Sequence, residues 1–294
     1  MMDRIQLMEM VRTYQMGGMT RRTFLHRATV TLGSLAAANT LLAACAASPV
    51  ENPPPVVDDS QPAAEPGTTP GIVTYSAESD DDTLLMGYLS LGESTQPRPG
   101  VIVLQEWWGL NDHIKGVADR FAAAGYPALA PDLYRGVVTT EPDEARKQAL
   151  ELRMRDAVSE IQAAARFLRT QPNVSDRIGV VGFCMGGGLV YNAVAADDTF
   201  QAGVGFYGSP LSPADANAVR TPVLTLLGSE DGISATAVQR MHDVFTDNGV
   251  PNQFQLYDGA RHAFFNDTRS SSYDADAAAD AWQRTLAWFA THLA

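Results

Sequence analysis

The sequence predicts an α/β fold: a single domain in which a mostly parallel central sheet is covered by helices on both faces. Short β-branched runs alternate with helical patterns from about residue 72 onward, as parallel strands joined by crossover helices require. The composition, 45% hydrophobic and 19% charged over 294 residues, is that of a globular protein. We find neither an internal repeat nor a second domain in the sequence.

The predicted elements begin with strands at 72–76 and 84–91 and a short β-branched strand at 100–105. Residues 111–124 are predicted to be helical, because their apolar residues recur on one helical face and Gly125 follows them. The later elements are a strand at 126–133, a long helix at 141–168, a strand at 177–183, a helix from about 185, strands at 202–207 and 222–227, a helix at 235–247, a strand at 253–257 and a helix at 274–293.

Charge and cysteine content exclude several classes of protein. The chain carries 21 Lys+Arg against 34 Asp+Glu, a net charge of −13, and it has no basic run that could follow a phosphate backbone. Nucleic acid is therefore not expected as a partner. The two cysteines, Cys45 and Cys184, cannot supply a disulfide framework, so each needs its own explanation.

Residues 1–45 have the pattern of an export signal. Arg21 and Arg22 stand before an uncharged stretch at 28–44 that ends in Leu-Ala-Ala before Cys45. This order resembles a twin-arginine signal with a lipoprotein cleavage site, so we predict export and a lipid on Cys45. The alternatives are a chance arginine pair before a core helix and a retained membrane anchor.

Residues 46–71 are predicted to be a disordered linker, and the folded domain to occupy 72–294. Seven of the 17 prolines lie between residues 46 and 70, among small and acidic residues, which keeps such a segment extended and unable to bury a core. An acidic body is repelled by anionic lipid, so we expect the lipid anchor alone to hold the protein at the membrane. We expect the protein to be a monomer.

A strand that runs directly into a glycine-rich turn and a helix marks the candidate nucleophile. Residues 177–188 read Arg-Ile-Gly-Val-Val-Gly-Phe-Cys-Met-Gly-Gly-Gly, which is a nucleophile elbow with Cys184 where serine is usual. Gly182 and Gly186 leave room where strand and helix cross, and the helix N-terminus favours a thiolate. A buried structural cysteine is the alternative.

An aspartate and a histidine follow two later strands, in the order that the elbow requires. Asp231 and His262 each come just after a predicted strand, and Cys-Asp-His is the chain order of α/β-hydrolases. We predict that Cys184 attacks a carbonyl carbon, that His262 carries the proton and that Asp231 fixes the histidine tautomer. Asp258 competes for the role of Asp231.

The loop after the third predicted strand supplies two further candidates, Glu106 and Trp107. In this architecture the loop contributes an oxyanion-hole amide, so the backbone N–H groups of Trp107 and Met185 are the predicted oxyanion donors. Glu106 is predicted to project toward the thiol of Cys184. The alternatives are that Glu106 caps the next helix and that the tryptophan belongs to the core.

Four stretches of the sequence together resemble the dienelactone hydrolase family of α/β-hydrolases, which are carboxymethylenebutenolidase-like enzymes. They are Gln105-Glu-Trp-Trp-Gly109, Ala130-Pro-Asp-Leu-Tyr134, Gly182-Phe-Cys-Met-Gly-Gly187 and Tyr257-Asp-Gly-Ala-Arg-His-Ala-Phe264. The resemblance covers nearly the whole predicted domain. It implies ester or lactone hydrolysis by a triad of Cys184, His262 and Asp231, without metal or organic cofactor. It also implies that Glu106 takes the thiol proton once substrate binds.

The resemblance also implies that arginines bind the substrate carboxylate, as they do for dienelactone in the family. After the His-Ala-Phe motif this sequence has Phe265 and Asn266 instead of arginine, so that contact is either missing or moved to Arg269. Arg146 or Arg153 is a candidate for a second contact. The departure weighs against dienelactone itself more than against ester or lactone hydrolysis.

Two other classes of function fit parts of the sequence. A non-catalytic surface lipoprotein that binds a ligand on this fold would have no reason to keep Cys184, Asp231, His262 and Glu106 together. A cysteine peptidase or thiol-redox protein is the other alternative, and redox chemistry lacks a second cysteine in reach. The prediction is therefore an exported, lipid-anchored hydrolase of small esters or lactones.

Overall fold

The computed structural model describes residues 70–77 and 83–294. The predicted signal segment with Cys45, and nearly all of the predicted linker, lie outside the described residues. The strands are β1 (Gly71–Ser76), β2 (Leu84–Ser90), β3 (Arg98–Leu104), β4 (Ala128–Pro131), β5 (Val174–Phe183), β6 (Ala202–Phe206), β7 (Val223–Glu230) and β8 (Asn252–Arg261). They form one sheet in the order β1-β2-β4-β3-β5-β6-β7-β8.

The sheet is antiparallel only at one edge. β1 pairs antiparallel with β2, and β2 with β4, whereas the pairings from β3/β4 to β7/β8 are parallel. The middle strands are continuous buried apolar runs, such as 178–183 of β5, as expected where both faces are covered. The predicted mostly parallel sheet is confirmed.

The described residues contain seven helices: α1 (Asp112–Ala123), α2 (Pro142–Glu151), α3 (Met154–Arg169), α4 (Met185–Ala196), α5 (Pro213–Ala216), α6 (Ala235–Asp247) and α7 (Ala275–His292). In the part of the chain that the structure describes, no helix is both long enough and apolar enough to cross a bilayer.

Two neighbouring glycine positions show that helices cover both faces of the sheet. A Cβ on Gly179 would meet Phe289 of α7, whereas a Cβ on Gly203 would meet Val190 of α4. Gly203 pairs with Val180, the residue after Gly179, and successive strand residues point to opposite faces. α4 and α7 therefore lie on opposite faces, as predicted.

The helical region predicted at 141–168 is divided into two helices. α2 and α3 are separate helices, because Leu152 and Arg153 between them are extended, with ψ of 105° and 125°. α2 buries only Ala145, whereas α3 buries a continuous stripe that includes Ala157, Ile161, Ala164 and Leu168. Only α3 therefore has an apolar face that packs on the sheet, and the break carries neither glycine nor proline.

Other differences concern the ends of elements. β7 and β8 extend beyond the predicted 222–227 and 253–257, to Glu230 and Arg261, because their pairing continues past an irregularity after Gly228. The short helix α5 was not predicted; it begins at a proline and is capped by the side chain of Ser212.

Candidate active site

Five titratable side chains follow the carboxyl ends of five adjacent parallel strands. Glu106 follows β3, Cys184 follows β5, Tyr207 follows β6, Asp231 follows β7 and His262 follows β8. The carboxyl ends of parallel strands share one edge of the sheet, which is where α/β folds place their ligand sites. Within the described ranges, no three His, Cys, Asp or Glu side chains are grouped as a metal ion would require.

Cys184 occupies a strained turn between β5 and α4. Its φ is 56°, a left-handed value that residues with a Cβ rarely adopt. A Cβ on Gly182 would lie 2.2 Å from the carbonyl oxygen of Gly186, and a Cβ on Gly186 would lie 2.6 Å from that of Gln105. The backbone N–H of Cys184 donates to the carbonyl oxygen of Phe206 at 3.1 Å. The turn thus has the tight packing of a nucleophile elbow.

Asp231 and His262 are joined by a hydrogen bond. Nδ1 of His262 lies 2.9 Å and 3.1 Å from the two carboxylate oxygens of Asp231. The Asp231 side chain is 1% exposed and that of His262 is 40% exposed. The thiol of Cys184 also forms a hydrogen bond with His262. Asp258 is exposed and accepts instead from the hydroxyl of Ser229 at 3.4 Å, so Asp231 is the acid that contacts the histidine.

The surroundings of His262 favour its charged form. Burial alone would lower the pKa of His262, but its hydrogen bonds with the side chains of Asp231 and Cys184 outweigh burial and raise the pKa from 6.5 to about 10. An imidazolium beside the sulfur stabilises a negative charge on Cys184. The arrangement is therefore suited to proton exchange between sulfur and ring.

Glu106 is buried, with 1% of its surface exposed. Its Oε2 atom accepts a hydrogen bond from Nδ2 of Asn266 at 2.8 Å. Burial raises the pKa of Glu106, while the hydrogen bond from Asn266 and the charges of Arg269 and His262 oppose that rise. The alternative that Glu106 caps the next helix is wrong, because Asn111 caps α1.

The two predicted oxyanion donors belong to segments that contact each other. Met185 is the first residue of α4, and the initial N–H groups of a helix have no partner within it. The N–H of Gly186 donates to the carbonyl oxygen of Gln105 at 3.1 Å, which ties the start of α4 to the loop that carries Trp107. Trp107 is half-buried, and its ring lies 4.9 Å from that of Trp108, so it is not a plain core residue.

Sequence reasoning missed Tyr207 as a member of the site. The side chain is fully buried, its ring centroid lies 5.0 Å from that of His262 and its φ is 39°. Among the described residues its hydroxyl has no hydrogen-bond partner. Burial, with the charges of Glu106, Cys184 and Asp231, raises its pKa well above 10, so the phenol stays protonated. Tyr207 directly follows β6, the strand next to the nucleophile elbow, and that position is the sequence signal that could have identified it.

The three arginines considered for a substrate carboxylate differ in position. Arg153 is exposed and donates to Asp156 at 2.6 Å, and Arg146 is exposed on α2. The guanidinium of Arg269 lies 5.1 Å from the ring centroid of Trp108, and its charge acts on Glu106. Of the three, Arg269 is the one that lies at the site.

Comparison with known proteins identifies the family. The model of the dienelactone hydrolase family matches residues 85–293. The chain belongs to the dienelactone hydrolase family. The dienelactone hydrolase resemblance inferred from the motifs is thus confirmed, together with the α/β-hydrolase fold and a carboxylic-ester hydrolase class.

Relatives of this dienelactone hydrolase family member span most of the described chain. Protein usf of Aquifex pyrophilus is 38% identical over 205 residues, which cover 66% of this chain and 89% of that protein. A provisionally named carboxymethylenebutenolidase of Synechocystis is 32% identical over 229 residues, covering 71% of this chain and 92% of that protein.

Solved structures show the same family fold. A provisionally titled dienelactone hydrolase from Klebsiella pneumoniae superimposes with a TM-score of 0.68 at 27% identity, covering 76% of this chain and 99% of its own. A dienelactone hydrolase-like promiscuous phosphotriesterase from metagenomic libraries superimposes with a TM-score of 0.69 at 27% identity, covering 77% of this chain and 99% of its own.

Proposed function

We propose that this protein cleaves a small carboxylic ester or lactone with Cys184 as nucleophile, His262 as acid and base, and Asp231 as the partner of the histidine. The observation that carries the proposal is the hydrogen-bonded series from Asp231 through His262 to Cys184. The sulfur adds to the carbonyl carbon, and the alcohol leaves with a proton from the imidazolium. Water then attacks the thioester with the imidazole as base, which releases the acid and the thiolate and regenerates the imidazolium.

The oxyanion that forms in both steps is assigned to the backbone N–H groups of Trp107 and Met185. Two amides directed at one developing charge stabilise it more than they stabilise the neutral carbonyl. The contact between Gly186 and Gln105 at 3.1 Å supports this assignment, because it holds the two donor segments together.

Glu106 is proposed to accept the thiol proton when substrate binds and to return it to the sulfur when the acid product is released. Its burial and its place on the oxyanion loop support this role. A carboxylate near the sulfur opposes a second negative charge, whereas a neutral, protonated Glu106 does not. Substrate then triggers formation of the nucleophile.

Alkylation of Cys184 by iodoacetamide is expected to be slow in the resting protein at neutral pH and about tenfold faster in Glu106→Gln, because removing a neighbouring negative charge favours the thiolate, which is the form that reacts. The measurement is the alkylation rate against pH. Glu230→Gln, which removes an exposed carboxylate, is the matched control and should match wild type. A wild-type rate that is already fast and does not change in Glu106→Gln would rule out the substrate-triggered mechanism.

The substrate is proposed to carry a carboxylate near the scissile bond, which Arg269 would contact. The position of Arg269 over Trp108, at the edge of the site, supports this choice. The test is a screen of purified 46–294 against paired esters and lactones with and without a carboxylate. Higher kcat/KM for the carboxylate-bearing member of each pair is expected. Hydrolysis of no ester or lactone would instead favour the non-catalytic, ligand-binding lipoprotein.

We further propose that the protein is exported and held at a bacterial membrane by a lipid on Cys45. The signal pattern in 1–45 and the acidic charge of the chain support this location. Cys45→Ser is expected to remain outside the cytoplasm but in soluble form, because a single lipid group is the proposed attachment. Fractionation with and without a detergent wash measures it, and retention of the variant in the membrane fraction would count against the lipoprotein.

A further inference from the structure

We propose that Asn266 is a positioning residue that holds Glu106 in place as the proton acceptor for Cys184. The inference rests on the proposed role of Glu106. Asn266 and Glu106 are each 1% exposed, and the donor Nδ2 of Asn266 lies 2.8 Å from Oε2 of Glu106. A hydrogen bond between two buried side chains, one of which bears a charge, is among the stronger ones in a protein.

Thr268 determines which way the amide of Asn266 points. The carbonyl oxygen Oδ1 of Asn266 accepts from the backbone N–H of Thr268 at 3.0 Å and from its hydroxyl at 2.6 Å. A flipped amide would place its NH₂ group against the backbone N–H, another donor, and would leave Glu106 facing an oxygen. The donor is therefore directed at the carboxylate by the local chain itself.

The backbone around Asn266 is fixed as well. Its N–H donates to the carbonyl oxygen of Ala263 at 3.0 Å, and its own carbonyl oxygen accepts from the N–H of Arg269 at 3.0 Å. Ala263 directly follows His262 in the chain, so the same turn carries the histidine and the group that holds Glu106. The turn thus sets the distance between the two proton-exchanging residues.

Oε2 of Glu106 accepts from Asn266, and in this proposal the other oxygen, Oε1, receives the thiol proton. An amide donor stabilises the ionised carboxylate without adding a charge. The other titratable groups acting on Glu106 are Arg269 and His262, which favour its ionised form, and the neutral phenol of Tyr207.

The test replaces the donor by an acceptor of the same shape. In Asn266→Asp, Glu106 loses its donor and gains a neighbouring carboxylate, so we expect the acidic limb of kcat/KM for ester hydrolysis to move to higher pH by about one unit or more. Asn217→Asp, which adds the same charge at an exposed asparagine that already accepts a hydrogen bond, is the matched control and should leave the profile in place.

A second variant covers the case in which Asn266→Asp fails to fold. Thr268→Val removes the exposed hydroxyl that helps to orient the amide and is expected to shift the acidic limb in the same direction by a smaller amount. An unchanged profile in a folded Asn266→Asp, or in Thr268→Val when Asn266→Asp does not fold, would overturn the proposal.

The Glu106→Gln background separates action through Glu106 from a general structural effect. If Asn266 acts through the carboxylate, adding Asn266→Asp to Glu106→Gln should produce no further shift of the limb; an equal shift in both backgrounds would contradict this. If Glu106 is not the proton acceptor at all, the result is distinguishable. In that case Glu106→Gln alone would keep the wild-type pH profile and alkylation rate.

Discussion

Asp231→Asn is expected to lower kcat for ester hydrolysis by about four orders of magnitude while the protein stays folded. The Asp231 side chain is 1% exposed and lies 2.9 Å from Nδ1 of His262. An asparagine of the same size keeps the packing but removes the negative charge that supports the imidazolium, and its NH₂ group favours the wrong tautomer of the ring. The loss should therefore appear in kcat more than in the melting temperature.

Asp258→Asn is the matched control, because it makes the same change at the exposed competitor and should cost little activity. A second measurement follows the histidine directly. Since Asp231 contributes to raising the pKa of His262 to about 10, Asp231→Asn should lower that pKa, as seen by NMR titration of the ring. A large loss in Asp258→Asn with little loss in Asp231→Asn would show that the acid is wrongly assigned.

The parallel character of the sheet could be inferred from the sequence where the strands are buried apolar runs. β3, β5 and β6 are of this kind, and their parallel pairing follows from the helices between them. The break between α2 and α3 could not be inferred, because it depends on α3 alone having an apolar face toward the sheet and carries no local stop signal. Helical periodicity continues through a break that tertiary packing imposes.

In the candidate site, too, some residues could be inferred from the sequence and others could not. Cys184, Asp231 and His262 could be found because each follows a strand end in a required chain order. Asn266 could not be assigned a role, because its contact joins segments distant in the sequence: it reaches Glu106 across 160 positions. A residue that positions another side chain stands at no fixed spacing from it in the sequence. The pair can therefore be recognised only in the folded structure.

Cys184→Ala is expected to produce the largest loss of all, about six orders of magnitude in kcat, because removing a covalent nucleophile removes the two-step route itself. Cys184 stands at a turn with φ of 56°, where an alanine accepts the same backbone strain as cysteine, so the fold and substrate binding should be retained. The measurement is hydrolysis of a chromogenic ester, with substrate binding to the alanine variant measured by calorimetry.

Cys184→Ser is the matched control for the chemistry of the sulfur. It keeps the elbow and a hydroxyl that can bond to His262, but a serine gives up its proton far less readily than a thiol. Its activity should fall between those of wild type and Cys184→Ala, and mass spectrometry should detect an acyl group on residue 184 in wild type and not in the alanine variant. Equal hydrolysis by wild type and Cys184→Ala would mean that the sulfur is not the nucleophile. Binding without hydrolysis in both would leave the ligand-binding lipoprotein as the better account, because the triad geometry would then be present without its chemistry.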